Sequence, residues 1–271
     1  MELIFFTKFL KGLSAKEVGR TVKDLGFDGL DLAIRGGQCV DPANVATALP
    51  EAMKTWKDLG LSVPLVSMET RQTDPRDAGV RRLYEACGKA KIPHIKVGYW
   101  RWRSGQPYWP GVEAIRSDLK EFERMGRDFG VCTVIHTHSG SYYGCNGSAA
   151  MQLVRGFDRK FVAIYIDPAH LMLSGEPLDL ALAIVRDYLA VVAVKNGLYV
   201  KTGQSGVVAD WEREWSLLHE GLVDWPEAIA LLKEVGYDGP LSLHGEYSGP
   251  EDRKSILERV ARDITFLRKH L

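Results

Sequence analysis

Short apolar runs alternate with longer amphipathic stretches along the whole chain. Leu3–Thr7, Leu30–Ile34, Ser62–Met68 and His94–Val97 are the first four runs. Val131–Thr137, Phe161–Ile166, Val191–Lys195 and Pro240–Leu243 are the second four. Their length and their Val, Ile and Leu content suit buried strands. The stretches between them carry helix punctuation. Ser14-Ala-Lys-Glu17 reads as a capping box that opens a helix to about Leu25. A second helix is predicted from about Pro42 to Leu59, ending at Gly60. Asp74-Pro75 is expected to open the third, with proline at a favourable first position. Gly111–Phe129, Ser148–Arg155, Leu178–Tyr188, Trp225–Val235 and Pro250–His270 complete the helical set.

Strands that alternate with helices imply a parallel sheet. Eight such units in 271 residues imply an α/β fold with a single (β/α)8 TIM barrel over residues 1–271. An open doubly wound sheet would normally carry a Gly-rich dinucleotide turn after its first strand, and none follows Thr7.

Two connections are longer than barrel turns require, Tyr99–Pro110 and Asn196–Gly221. Both follow strand carboxyl ends, so both are expected to overhang the barrel mouth, and long loops in compact domains tend to be functional. Trp100, Trp102, Tyr108 and Trp109 either pack on one another or wall a ring-shaped ligand, with Arg101 or Arg103 reaching a polar group.

The last four strands end on chemistry. His136 and His138 close the fifth, Asp167 and His170 the sixth, Lys195 the seventh, and His244 and Glu246 the eighth. Strand alternation puts Val134, His136 and His138 on one face; it does the same for Ala163, Tyr165 and Asp167, and for Val191, Ala193 and Lys195. Ser242, His244 and Glu246 form the fourth set. If each set ends on the barrel axis, one pocket holds imidazoles, carboxylates and an ammonium. That mixture suits a divalent metal beside a proton-transfer base. Bland readings exist for each: Asp167 as a helix cap, Lys195 as a lysine snorkelling to the surface. Asp31, Glu69 and Lys96 end earlier strands and are further candidates to line the same mouth, although single polar residues at strand ends are common, whereas His94 begins its strand and belongs at the opposite end.

Composition narrows the partners. Lys plus Arg and Asp plus Glu are both 35, so the formal charge is zero and there is no basic footprint for nucleic acid. Cys39, Cys87, Cys132 and Cys145 are widely spaced, which suits reduced thiols. No apolar stretch is long enough to span a bilayer, and the acidic start Met-Glu-Leu-Ile is unlike a signal peptide, so a cytoplasmic protein is expected.

Several motifs, taken in order, resemble the xylose isomerase-like TIM barrels, the sugar phosphate isomerase/epimerase superfamily. They are Gly26-Phe-Asp-Gly-Leu-Asp31, Ile135-His-Thr-His138, Asp167-Pro-Ala-His170, Val192-Ala-Val-Lys-Asn196, and Glu220-Gly-Leu-Val-Asp-Trp225 with Gly236-Tyr-Asp-Gly-Pro-Leu-Ser-Leu-His-Gly-Glu246. The resemblance covers nearly the whole chain. It implies a divalent metal (Mn, Zn or Mg) held by one residue from each of the last four strands, with carboxylates moving a proton between adjacent carbons. Asp167 matches a ligand position, His136 stands in the place of the first Glu and His244 in that of the last, with Glu246 two residues on and on the same face, so His136, Asp167, His244 and Glu246 are the candidate ligands. Ala193 stands where the family has a His ligand, and His170 matches a substrate-contacting His. With His replacing Glu at two places, the site favours Zn²⁺ or Mn²⁺ over Mg²⁺.

The expectation is a keto-sugar or cyclitol isomerase or epimerase. Glu246, His136 and Lys195 are its catalytic candidates, and His138, His170, Glu69, Trp100 and Arg101 its sugar-binding candidates. His244 is a further candidate base. A keto-sugar lyase or dehydratase, a metal-free sugar-binding relative and a Lys195 Schiff-base enzyme are the alternatives. The resemblance also allows a homodimer.

Overall fold

A computed structural model describes residues 1–271. Eight parallel strands close into a barrel: β1 (Glu2–Phe6), β2 (Gly29–Ala33), β3 (Ser62–Ser67), β4 (His94–Lys96), β5 (Cys132–His136), β6 (Val162–Ile166), β7 (Leu189–Val194) and β10 (Pro240–Leu243). Each pairs with its sequence neighbours, and β1 closes on β10 through Glu2↔Pro240 to Phe5↔Leu243. Among the eight predicted strands, none lies far from its observed place. The elements outside the barrel, β8 (Asn196–Ser205) and β9 (Val208–Ser216), form an antiparallel hairpin where a long loop was expected.

Helices α1 (Ala15–Asp24), α2 (Val45–Asp58), α3 (Ala78–Lys89), α4 (Tyr108–Phe129), α5 (Gly147–Val154), α6 (Pro168–Leu173), α7 (Leu178–Val185), α8 (Trp225–Glu234) and α9 (Arg253–Leu267) complete the chain. The Ser14–Glu17 capping box opens α1 as predicted. Asp74-Pro75 does not open α3; it forms a turn, and Asp77 caps the helix by accepting from the Gly79 and Val80 amides. The Asp77 side chain satisfies two of the orphan amides of the first turn, which a proline at position 75 cannot do. Helix α4 starts three residues earlier than predicted and ends at Gly130, whose φ of +71° supplies the left-handed stop.

Two apolar layers hold the barrel. Strand faces and helix stripes share a core of 60 buried residues. Inside the barrel a smaller cluster of Ile4, Leu65, Cys132, Val134, Ala163, Tyr165, Val191 and Ala193 fills the axis. Val134, Ala163, Tyr165, Val191 and Ala193 are therefore inward, which makes the residues two positions further along each strand point to the axis at the mouth.

One buried carboxyl ties the outer helix to the mouth. Asp263 on α9 accepts from the Leu218 amide at 3.0 Å and from the Tyr247 hydroxyl at 2.7 Å. Burial, only partly offset by these bonds, pushes its pKa up to about 6. A carboxyl raised above its unfolded value of about 3.9 favours folding most when both states are protonated, and that advantage is lost as pH rises through the folded value. Asp263→Asn carries no such titration. Between pH 4 and 7 wild-type stability is expected to fall relative to Asp263→Asn by on the order of 2 kcal/mol, checked by urea melts at both pH values. Parallel pH profiles would contradict the assignment.

Candidate active site

The carboxyl ends of the strands surround a cavity of about 450 Å³. That volume lies within the range of about 300–1,000 Å³ of small-ligand clefts. Lys195 is its structural centre. The ammonium is 2.7 Å from Glu246 Oε2, 3.3 Å from Asp167 Oδ2 and 2.9 Å from His170 Nε2. Burial works against its charge, but Asp167 and Glu246 outweigh it and raise its pKa. A lysine held protonated by two carboxylates is not a nucleophile, so the Schiff-base alternative loses its residue. Glu246 also pairs with Lys8, in the short 3-10 turn that follows β1. Burial would raise its carboxyl, yet Lys195 and Lys8 hold it well below the usual carboxylate range. It is ionised at neutral pH.

Gly245 lets the eighth strand deliver this carboxylate. Its φ is +61°, and a Cβ there would meet Val260 at 3.1 Å and the Phe5 ring at 3.3 Å. A side chain at this bend is strained in backbone and in space.

Three ligand-bearing groups, His136, Asp167 and His244, bring donor atoms within 4.8 Å of one another, and all three are buried. His136 Nδ1 bonds the Tyr99 hydroxyl at 2.6 Å, which turns Nε2 toward Asp167 Oδ2 at 3.3 Å. Nε2 has no hydrogen-bond partner, and Oδ2 has the Lys195 ammonium at 3.3 Å but outside hydrogen-bond geometry. Buried polar atoms are rarely left unpartnered, and a cation on these two atoms would satisfy Nε2 and share Oδ2 with Lys195. His244 Nε2 bonds the Tyr165 hydroxyl at 2.7 Å, and Tyr165 in turn approaches Asp31 Oδ2 at 3.5 Å. Outer partners of this kind orient metal-ligating imidazoles. Two neutral imidazoles and one carboxylate fit a borderline ion such as Zn²⁺ or Mn²⁺. Ala193 offers no donor; it lies in the apolar axis below Lys195. Glu246, expected as a fourth ligand, is turned to the two ammoniums instead.

His138 is placed differently from the other imidazoles. Its Nδ1 donates to the Ser139 carbonyl at 3.0 Å, which leaves Nε2 as the lone-pair nitrogen. It lines the cavity, and burial, with Lys195 adding to it, lowers its pKa to about 4. It is neutral at pH 7 and free to accept a proton. His170 is fully buried behind the wall, where Nε2 accepts from the Lys195 ammonium at 2.9 Å, Nδ1 donates to the Ser139 hydroxyl at 2.8 Å, and the ring centre lies 4.1 Å from that of His138.

Other predicted residues lie elsewhere. Glu69 is exposed and accepts from the Gly36 amide; Arg101 is exposed on a bridge to Tyr142; Trp100 packs against the outer core. None of the three lines the main cavity. The β8–β9 hairpin does reach it: Trp215 lies 4.1 Å under the Lys195 ammonium and Arg213 stacks on the same ring. Lys8, Arg35, Tyr99, Arg213 and Trp215 line the cavity without having been predicted. Tyr99 and the hairpin residues fall within the two long connections, so segment length was the available signal. Lys8 follows a strand end and was legible by the rule that found Lys195.

The sequence profile of the xylose isomerase-like TIM barrel family matches residues 20–270. No curated protein sequence matches the chain. Solved structures do. The apo 3-keto-D-glucoside 4-epimerase of E. coli superposes with a TM-score of 0.74 at 17% identity, over 99% of each chain. The D-psicose 3-epimerase of Clostridium cellulolyticum H10 with D-tagatose gives 0.70 at 15% identity, over 100% of this chain and 99% of that one. The D-allulose 3-epimerase of Methylomonas sp. in complex with D-allulose gives 0.74 at 12%, over 100% and 97%. At such identities the likeness establishes the shared fold.

Proposed function

The chain belongs to the xylose isomerase-like TIM-barrel family, and on that premise we propose that it moves a proton beside the carbonyl of a keto-sugar, as an epimerase or isomerase. One observation carries this reading. An ionised carboxylate, Glu246, and an imidazole with an open lone pair, His138, line the same cavity from strands β10 and β5, with β7 and β6 between them. Epimerisation needs two such groups, one to take a proton from one face of a carbon and one to serve the other face.

Lys195 supplies the fixed positive charge. Held between Asp167 and Glu246, it is positioned to stabilise the oxygen that becomes anionic as the enediolate forms. His136, Asp167 and His244 would hold a Zn²⁺ or Mn²⁺ ion, which would supply Lewis acidity to the same cavity. Glu246 and His138 are both deprotonated at rest, so the group that takes the carbon-bound proton releases it to solvent, and the group on the opposite face takes a solvent proton and delivers it to the carbon.

Incubation with D-fructose, D-tagatose and their carboxylate and phosphate analogues, followed by NMR, is expected to show a new epimer or aldose from at least one. Unchanged sugars across the panel would contradict the reading. Metal binding has a separate test. Zn²⁺ or Mn²⁺ at about 100 times its Kd is expected to stabilise the protein by about 2.7 kcal/mol, and His136→Ala should remove that shift. No shift in the wild-type protein would remove the metal from the account and leave the proton-transfer groups in place.

A further inference from the structure

We propose that the substrate carries an anionic group, a carboxylate or a phosphate, that docks between Arg35 and Lys96 on the side of the cavity away from Lys195. The proposal rests on the proton-transfer reading of the same cavity. Arg35 follows β2 and Lys96 ends β4, and both line the cavity. Lys96 is 3% exposed, and its ammonium sits 3.7 Å from the centre of the Tyr99 ring. Arg35 Nε donates to the Met68 carbonyl at 3.1 Å, and its guanidinium stacks on Phe6 at 5.0 Å. Neither side chain has a carboxylate within 4.0 Å, unlike Lys8 and Lys195, which do.

The nearby acids are committed elsewhere. Both oxygens of Glu246 face Lys8 and Lys195, and Asp31 Oδ2 accepts from Ser242 at 2.8 Å. Burial, first among several influences, pushes the Asp31 carboxyl up to about 6; it is still ionised at pH 7, but it does not line the cavity and makes no ion pair with either cation. A buried ammonium and a half-buried guanidinium that face one cavity with no carboxylate at ion-pair distance are a place for an anion. Burial first and Arg35 second pull the Lys96 pKa down, and Asp31 and Glu246 offset them only in part. A docked anion would add the close counter-charge that neither acid provides. Arg35, fixed at Nε and by the Phe6 ring, keeps its terminal nitrogens free for a planar or phosphate anion. Strands β2 and β4 lie across the barrel from β7, so the anion would anchor one end of the sugar while Lys195, Glu246 and His138 address the other.

The test is calorimetric binding of D-fructose, D-fructose 6-phosphate and 5-keto-D-gluconate at low salt. One of the two anionic probes is expected to bind at least about ten-fold more tightly than D-fructose, with the advantage shrinking in about 0.5 M NaCl. Which probe gains distinguishes phosphate from carboxylate. Arg35→Gln and Lys96→Met should each bring that probe within about three-fold of D-fructose, with Arg35→Lys between, and D-fructose binding confirms that each variant is folded. Equal affinity for all three probes, no binding of either anion, or a preference that survives both neutral variants would overturn the subsite. Neutral ketose turnover without anion preference would leave the proton-transfer reading standing; anion preference without turnover would do the reverse.

Discussion

Lys195→Met is expected to lower folding stability by about 3–5 kcal/mol and to abolish sugar turnover. The magnitude follows from what remains. Asp167 is fully buried, and its charge is sustained against burial chiefly by Lys195, with His170 and His136 behind it. Removing one partner of a buried charge pair strands the other, which costs more than the pair contributed. Methionine keeps much of the length and the contact with Trp215, so lost packing is a small part of the change. Urea melts at pH 7 measure the loss. The double variant Lys195→Met/Asp167→Asn removes the stranded charge and should regain part of it. A loss under about 1 kcal/mol would mean that the ammonium is solvated and not the centre of the site.

Glu246→Gln is expected to have the largest effect on catalysis, a fall of about 10²–10⁴ in kcat with little change in KM. The amide keeps the shape and one acceptor for Lys195 and Lys8, but it cannot take a proton. Steady-state kinetics on whichever ketose proves active would show this split. A fall of less than about ten-fold would move the base to another group, with His138 next in line.

The barrel and its mouth were legible because two periodicities coincide. Period-two alternation and a polar strand end together mark Lys195, Asp167 and His136 as inward, and the axial cluster with Val134, Ala163 and Ala193 bears out the direction. The hairpin escaped for a physical reason. Residues from Val200 to Glu214 are mostly exposed, so its strands bury no apolar face and leave no hydrophobic run to read. Only the two-residue turn Gly206-Val207 and the alternation of Trp211, Arg213 and Trp215 hinted at it. Glu246 shows the other limit. Its place at the mouth follows from the strand, but its choice of Lys8 over a metal depends on β1, far away in sequence and adjacent only in the closed barrel.

The central claim is that Glu246 and His138 exchange a carbon-bound proton with solvent. The direct measurement is NMR of a bound ketose in D₂O, comparing wild type with Glu246→Gln. Wild type is expected to place one deuterium beside the carbonyl for each sugar converted, and the variant to place it at least about a hundred-fold more slowly. Conversion of the sugar without deuterium at that carbon would contradict the account.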